Sequence, residues 1–431
     1  MKKILLIFII TIFSLNKSFA ITLTEALIQT YKNNTELNAE RENIKVSRED
    51  LKISKSSYLP TLTITGSKSI EETKKLTNQS GGDASISDVD PFTTSIKLEQ
   101  TLVDLGRNAD FKKNQIGIKL AEAKLLKKEQ DILYEAINSY TGLILSNEKS
   151  SINDKNVNLL ERQVETDRIR LDRGEITFTD LAQSESSLAG AQAKFIQAKN
   201  EVISSKLNYE NIIGSILNVD SLTKVNDIGV SIPTSLSNAI ELSKKNNPDL
   251  LIAKLEYEQS EKDVEIAKSD LSPTATISLE KNYTEDLSST YDERNKNIFK
   301  TSVSWPFYSG GKNRAQLNKN INLKNRKRLL LDNAIKINET NVTSAWSSLE
   351  SSESLLESVR SQVKAAEIAS EGINLEYESG LGRSTLEVIQ SNSLLLNAKI
   401  SLADSERNYL LSKFNLLKSI GLLNSDYLKL R

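Results

Sequence analysis

Apolar residues recur along this chain with two different periods. From residue 335 onward they step by alternating threes and fours through Ile335, Asn338, Val342, Ala345, Leu349, Ser352, Leu356, Val359, Val363, Ala366, Ser370, Ile373 and Tyr377. That spacing is a heptad seam of small and aliphatic side chains, the mark of a helix that packs along its whole length. Subtracting 206 positions lands on Ile132, Ala136, Ser139, Leu143, Ser146, Ser150, Asn153, Val157, Leu160, Val164, Asp167 and Leu171, a second seam with weaker apolar content. Neither stretch contains proline or a glycine cluster, so the pattern predicts helices over about 108–172 and about 313–379. At 1.5 Å per residue each is a rod of roughly 100 Å, far longer than an ordinary domain is wide. Both rods run into glycine motifs, Arg173-Gly174-Glu175-Ile176-Thr177 and Ser379-Gly380-Leu381-Gly382-Arg383. A glycine there suits a left-handed helix terminus, and the pattern resumes in return helices that end near Ile213 and Ile420. Two further helices of about 35 residues are predicted upstream, Leu23 to Ser57 and Leu236 to Asp270.

The second period is two. Leu62, Ile64 and Gly66 alternate with Thr61, Thr63, Thr65 and Ser67, and Ile96, Leu98 and Leu102 alternate with Ser95, Lys97, Glu99 and Thr101. Later, Ala275, Ile277 and Leu279 alternate with Thr276, Ser278 and Glu280, while Phe299, Val303, Trp305 and Phe307 alternate with Lys300, Ser302 and Ser304. The reading is two β-hairpins, at about 60–103 and about 273–308, each with one apolar and one polar face. Strands of about ten residues suit a tilted crossing of a bilayer. The polar stretches Glu71 to Asp90 and Glu285 to Asn297 are expected as the hairpin loops, in water. Four strands alone cannot close a barrel, and an open sheet edge in lipid leaves backbone groups unpaired, so other subunits must complete it. Three copies would supply twelve strands.

These elements occur twice. Leu23-Thr24-Glu25-Ala26-Leu27, Asn33-Asn34-Thr35-Glu36-Leu37 and Pro60-Thr61 recur 213 positions on as Leu236-Ser237-Asn238-Ala239-Ile240, Asn246-Asn247-Pro248-Asp249-Leu250 and Pro273-Thr274. Gly106-Arg107-Asn108 answers to Gly311-Lys312-Asn313 at a spacing about eight residues shorter. The chain therefore divides into a first repeat over 21–215, a linker over 216–235, a second repeat over 236–421 and a tail over 422–431.

Composition sets the compartment and removes most chemistry. Lys2 and Lys3, the apolar run Ile4 to Phe13 and Ser18-Phe19-Ala20 make the three parts of a secretory signal over 1–20. The apolar run is too short for a membrane-spanning helix. With 16 glycines and 6 prolines in 431 residues, the chain suits long amphipathic helices. It has 56 Lys+Arg against 57 Asp+Glu, which gives no support to a nucleic-acid partner. There is no cysteine, hence no disulfide, and no histidine, so the common nucleophile–base pairs and imidazole-ligated metal sites are absent. Gly81-Gly82 stands alone in a polar stretch and makes no phosphate cradle. The expectation is a protein without catalytic residues, metal or cofactor.

The order of these motifs resembles the TolC-like outer membrane efflux proteins, over essentially the whole chain after residue 20. The resemblance rests on Leu23 to Leu27, the strand openings at Pro60 and Pro273, the strand-to-helix turns at Gly106 and Gly311, and the two hairpin ends. The most specific stretch is Arg173 to Leu181 with Gln183, Ala189 and Ala191 downstream. What it implies is a mainly helical fold with membrane β structure, in which three chains form a helical barrel continuous with a twelve-stranded β-barrel. The likeness further implies an exit duct in the outer membrane of a Gram-negative bacterium, extending into the periplasm and working with a periplasmic adaptor and an inner membrane pump for efflux or type I secretion.

Carried over by position, the likeness makes Thr179 and Asp180 partners of Tyr377 and Arg383 in a latch that constrains the duct's periplasmic tip. Hairpin-tip turns fall at Gly174, Gly380 and Gly382. Arg383 follows Gly380 by three residues where the family has two, so either one residue is inserted or Gly382 is the aligned glycine. With the insertion, Glu387 and Gln390 fall where the family places charged residues that select ions in the lumen. The alternatives are a periplasmic coiled-coil scaffold, which has no use for the alternation at 299–307, and an adaptor, which should carry one helical hairpin flanked by soluble β-domains. The cargo is open at this stage: drug, metal and protein export can share such a duct.

Overall fold

The structure, a computed structural model, describes residues 21–73, 87–216, 218–225, 229, 231–288, 291–380 and 382–430. The predicted signal over 1–20 and the Gly81-Gly82 pair lie outside them. Two compact units are built from interleaved stretches of chain. One comprises Met1–Asn38, Lys128–Asn246 and Thr340–Arg431, the other Ala39–Lys127 and Asn247–Glu339.

In chain order the elements are α1 (Leu23–Asn33), α2 (Thr35–Ser56), β1 (Thr61–Lys68), β2 (Glu71–Thr73), β3 (Ser87–Val89), β4 (Phe92–Val103), α3 (Arg107–Asp172) and α4 (Phe178–Ile212). After a 3-10 turn at Val219–Ser221 come α5 (Leu236–Asn246), α6 (Pro248–Ser269), β5 (Thr274–Ser288), β6 (Tyr291–Ser304), α7 (Lys312–Glu378) and α8 (Thr385–Ser419).

The two upstream helices are not continuous, as the periodicity predicts, but broken. Asn34 takes an extended conformation (φ −62°, ψ 125°), and its Oδ1 accepts from the N–H groups of Glu36 and Leu37 at 3.0 and 3.1 Å. Asn247 does the same (φ −67°, ψ 121°) for Asp249 and Leu250 at 2.9 and 3.2 Å, with Pro248 as the first helical residue. A short amide side chain outcompetes the backbone for these donors, and a proline ring cannot continue the preceding turn. Apolar periodicity runs on across such a break because both pieces bury the same side.

In the first unit the seams are buried as their spacing requires. Ile132, Ala136, Leu143, Val157, Leu160 and Val164 of α3 and Val342, Ala345, Leu356, Val359 and Val363 of α7 are all buried, while Ile335, which belongs to the second unit, is exposed. Small residues on the return helices, such as Ala191 and Ala198 of α4 and Ala398 and Ala403 of α8, let the pairs approach closely. The core is thickest around Tyr140, Tyr209, Phe414, Leu417 and Leu423. There the Tyr140 hydroxyl lies 2.8 Å from the carbonyls of both Ile21 and Thr223, so one group holds the start of the first repeat and the linker. Lys224 of the linker bonds Glu148 of α3 at 2.9 Å and Glu406 of α8 at 2.6 Å. The tail is part of this core: Leu423 and Leu430 are buried, and the Ser425 N–H donates to Glu129 at 2.5 Å.

The second unit holds a four-stranded antiparallel sheet in the order β1-β4-β5-β6. β5 and β6 are longer than the sequence pattern suggests. The polar stretch Glu285 to Asn297, expected as a loop, largely continues their ladder through Tyr283 opposite Asn295 and Glu285 opposite Glu293. Backbone pairing needs no apolar face where both sides of a ribbon meet water, so composition concealed it. Likewise β2 and β3 pair within the stretch Glu71 to Asp90. The Asp90 N–H donates to Asp286 Oδ2 at 2.6 Å.

Candidate functional site

Two features of the fold bear on function: the faces of the four-stranded sheet, and the ends of the helical hairpins. Strand register aligns Leu62 with Leu98, Leu98 with Leu279 and Leu279 with Phe299, an apolar row across all four strands. Ile64 and Ile96 pair beside it, as do Ala275 and Val303. None of this surface is covered within the chain, since Leu62, Ile64, Phe299 and Val303 are 65% to 72% exposed. The opposite face carries Thr63, Lys97, Glu280 and Ile298 in one row and Thr61, Glu99, Ser278 and Lys300 in the next. At the helix end of the sheet Tyr58, Trp305, Phe307 and Tyr308 are exposed, and the Trp305 indole N–H donates to the Leu271 carbonyl at 3.1 Å. Aromatic rings with one polar handle at the rim of an apolar band are what a membrane–water boundary selects. β1 and β6 each have one unpaired edge within the chain.

Each helical hairpin closes with the same local grammar. Gly174 (φ 74°) ends α3, with the Gly174 N–H donating to Leu171 O and the Glu175 N–H to Arg170 O, each at 2.9 Å. Only glycine takes this left-handed conformation without strain. Gly380 (φ 75°) and Gly382 (φ 83°) do the same after α7, so the second turn uses two such residues. α4 then opens with a capping box in which Asp180 accepts from the Thr177 N–H at 2.9 Å and hydroxyl at 2.7 Å. α8 opens identically with Glu387 and Ser384, at 2.9 and 3.0 Å.

These boxes explain the charges that the resemblance singled out. Thr177 donors hold the Asp180 carboxyl below its ordinary value, and the Ser384 N–H, followed by the Arg383 guanidinium, does so for Glu387. Arg383 pairs with Glu376 at 2.6 Å and Glu387 at 2.9 Å, not with Asp180. Thr179 and Gln390 are exposed. Within the chain, Tyr377 does not bond Asp180 either. Its hydroxyl donates to Oδ1 of Asp167, on α3, at 2.6 Å, and the Thr385 hydroxyl lies 3.1 Å away. Asp167 also accepts from Ser184 of α4 and, at 3.0 Å, from Gln163. Arg170 stacks 4.1 Å above the Tyr377 ring and donates to the Tyr377 carbonyl at 2.9 Å. Burial, then the bond to Asp167, pushes the Tyr377 hydroxyl above its ordinary value. Asp167 has no exposed surface. It joins both hairpins, and its place among apolar seam positions was the one signal that could have found it.

Asp180, Tyr377 and Arg383 nevertheless line a single open cleft with Arg170, Gly174 and Gly380. The family described as outer membrane efflux protein matches this chain over residues 27–215 and 239–422. The chain belongs to that family. The two matched segments fall on the two repeats of this efflux-family chain, and its place is the outer membrane. It is 27% identical over 414 residues to the outer membrane efflux protein BepC of Brucella suis biovar 1, covering 95% of this chain and 87% of that protein. It is 22% identical over 434 residues to the proteases secretion protein PrtF of Dickeya chrysanthemi, covering 99% and 93%. Among solved structures it resembles the Campylobacter jejuni CmeC outer membrane channel with a TM-score of 0.80 at 15% identity, covering 93% and 85%. These relatives are named for efflux, secretion and channels, not for a chemical reaction. Among the described residues no helix is long and apolar enough to cross a membrane.

Proposed function

We propose that this efflux-family chain is a passive exit duct, in which three copies share one twelve-stranded barrel in outer membrane lipid and carry cargo delivered by a periplasmic adaptor and an inner membrane pump. The observation that carries the reading is the row Leu62–Leu98–Leu279–Phe299 on a sheet with two open edges. Apolar surface uncovered on every strand is stable only against lipid, and strand edges in lipid must be paired. A soluble scaffold or adaptor gains nothing from either.

The narrow end of the duct is assigned to the hairpin tips. Asp167, Tyr377 and Arg170 hold the two hairpins of one chain together, while Asp180 and Arg383 border a cleft, and Thr179 is exposed in the first turn of α4, where a neighbouring copy can engage them. A charge-assisted contact of this sort holds a helix end yet yields when a partner offers other bonds. Glu387 and Gln390 lie on α8 just beyond the tip, where a charge lining selects among ions. Single-channel recording in planar bilayers tests the reading. Purified protein should give discrete low-conductance openings that grow when the tip is loosened, and a silent bilayer would remove the duct.

A further inference from the structure

Strand register sorts the apolar side of the sheet into rows. Beyond Leu62–Leu98–Leu279–Phe299 come Ile64–Ile96–Lys281–Asn297, then Gly66–Thr94–Tyr283–Asn295, then Lys68–Phe92–Glu285–Glu293. In the other direction, towards the helices, the same side stays free of charge through Gln100–Ile277–Thr301 and Ala275–Val303 to the aromatic rim at Trp305. Lys281 is thus the first charge on this side when the sheet is followed away from that rim, and it shares a row with two isoleucines.

Nothing inside the sheet accounts for it. Lys281 is exposed and, among the described residues, has no ion-pair partner, whereas Lys97 on the polar side pairs with Glu99. It does not guard a strand edge either, since β5 lies between β4 and β6 and is paired on both sides.

Its depth supplies a reason. Asn297, opposite Lys281, lies eight residues along the chain from Trp305. At ~3.4 Å per residue and a strand tilt of ~40°, the span along the membrane normal is about 20 Å, close to the ~25 Å height of a lipid-facing band. The row of Lys281 therefore falls where acyl chains give way to headgroups, at the boundary opposite the aromatic rim. A charge is costly at the middle of a bilayer and tolerated at such a boundary, and the four-carbon stem of a lysine carries its ammonium outward.

Lys281, Asn297 and Asn295 are all exposed on this side, one ammonium beside two carboxamides, and all can donate hydrogen bonds. Two rows beyond Lys281, Glu285 stands directly opposite Glu293, and the Tyr283 hydroxyl donates to Glu285 at 2.8 Å. That carboxylate pair repels an anion, so an acidic headgroup is held to the level of Lys281. Donors of this kind above an apolar band suit a phosphate that is attached to acyl chains.

We propose that Lys281, with Asn297 and Asn295, binds a phosphate of lipid A, the phosphorylated glycolipid of the outer leaflet, whose acyl chains then lie over Ile96, Leu279 and Phe299. The proposal rests on the duct reading above, which sets the sheet in outer membrane lipid with its hairpin end outside the cell.

Native mass spectrometry tests it. Purified protein is reconstituted in phosphatidylcholine vesicles with lipid A, extracted into mild detergent and weighed with whatever lipid it retains. The wild-type trimer should carry lipid A, and Lys281→Gln should retain roughly tenfold less in spectra that still show a trimer. Lys300→Gln, which removes an exposed charge from the polar side, should retain as much as the wild type. Lipid A stripped of its phosphates should not be retained, and inorganic phosphate should not displace the intact lipid. Equal retention by the wild type and Lys281→Gln, equal loss in Lys300→Gln, or a wild-type trimer without lipid A overturns the site and leaves the duct standing. Retention of the stripped lipid, or displacement by inorganic phosphate, overturns the assignment to a lipid phosphate. A monomer in the same spectra removes duct and site together.

Discussion

Asp167 has no exposed surface, and three side chains donate to it, one of them from the other hairpin. Asp167→Ala strands the buried Ser184 hydroxyl, at a cost of about 1–3 kcal/mol, and leaves the Tyr377 hydroxyl with the Thr385 hydroxyl alone. The expected outcome is a loosened tip, read as higher conductance and faster amide exchange near residues 167–180 and 377–387, and a larger effect than Asp180→Ala produces. Equal wild-type behaviour of Asp167→Ala and Tyr377→Phe would take this cluster out of the gate. The capping carboxylates carry a pH dependence whose sign is fixed. Asp180 and Glu387 both have lowered folded values, so their contribution is complete above the ordinary carboxylate range and is lost as pH falls through those lowered values. Protection factors in the first turns of α4 and α8 should therefore drop only at pH below the ordinary carboxylate range, and Asp180→Asn with Glu387→Gln should flatten that profile. The positions of these residues were legible in the sequence through likeness alone. Their bonding was not, because one carboxylate serves both readings: Asp180 adjoins Thr179 in the latch and stands three residues after Thr177 in the capping box.

At the scale of elements, period carried most of the information. A seam held over the long helices, and an alternation held over four strands, were each visible because every turn or pleat repeats the same burial. What escaped was local. The breaks at Asn34 and Asn247 depend on one side chain accepting two N–H groups, and the extended β5 and β6 depend on backbone pairing that leaves no apolar trace. Asn247→Ala should destabilise the start of α6 by about 0.5–2 kcal/mol, seen as a lower denaturation midpoint. The tail shows the same limit. Leu423 and Leu430 are buried by a turn whose anchor, Glu129, lies far away in sequence, so truncation before Leu422 should lower the melting temperature by several degrees.

For the whole molecule, duplication explains why one chain presents two hairpins and four strands, and open edges explain why one chain is insufficient. The sheet exposes apolar residues on one side, polar residues on the other, and unpaired backbone at both ends of its strand order. On the proposed reading each deficit is met when copies join side by side in a membrane, with β6 of one against β1 of the next. The most direct measurement is native mass spectrometry of the detergent-extracted outer membrane species. The account predicts a homotrimer that persists without added partners. A monomer, or any assembly whose strand count cannot close a barrel from whole chains, would contradict it.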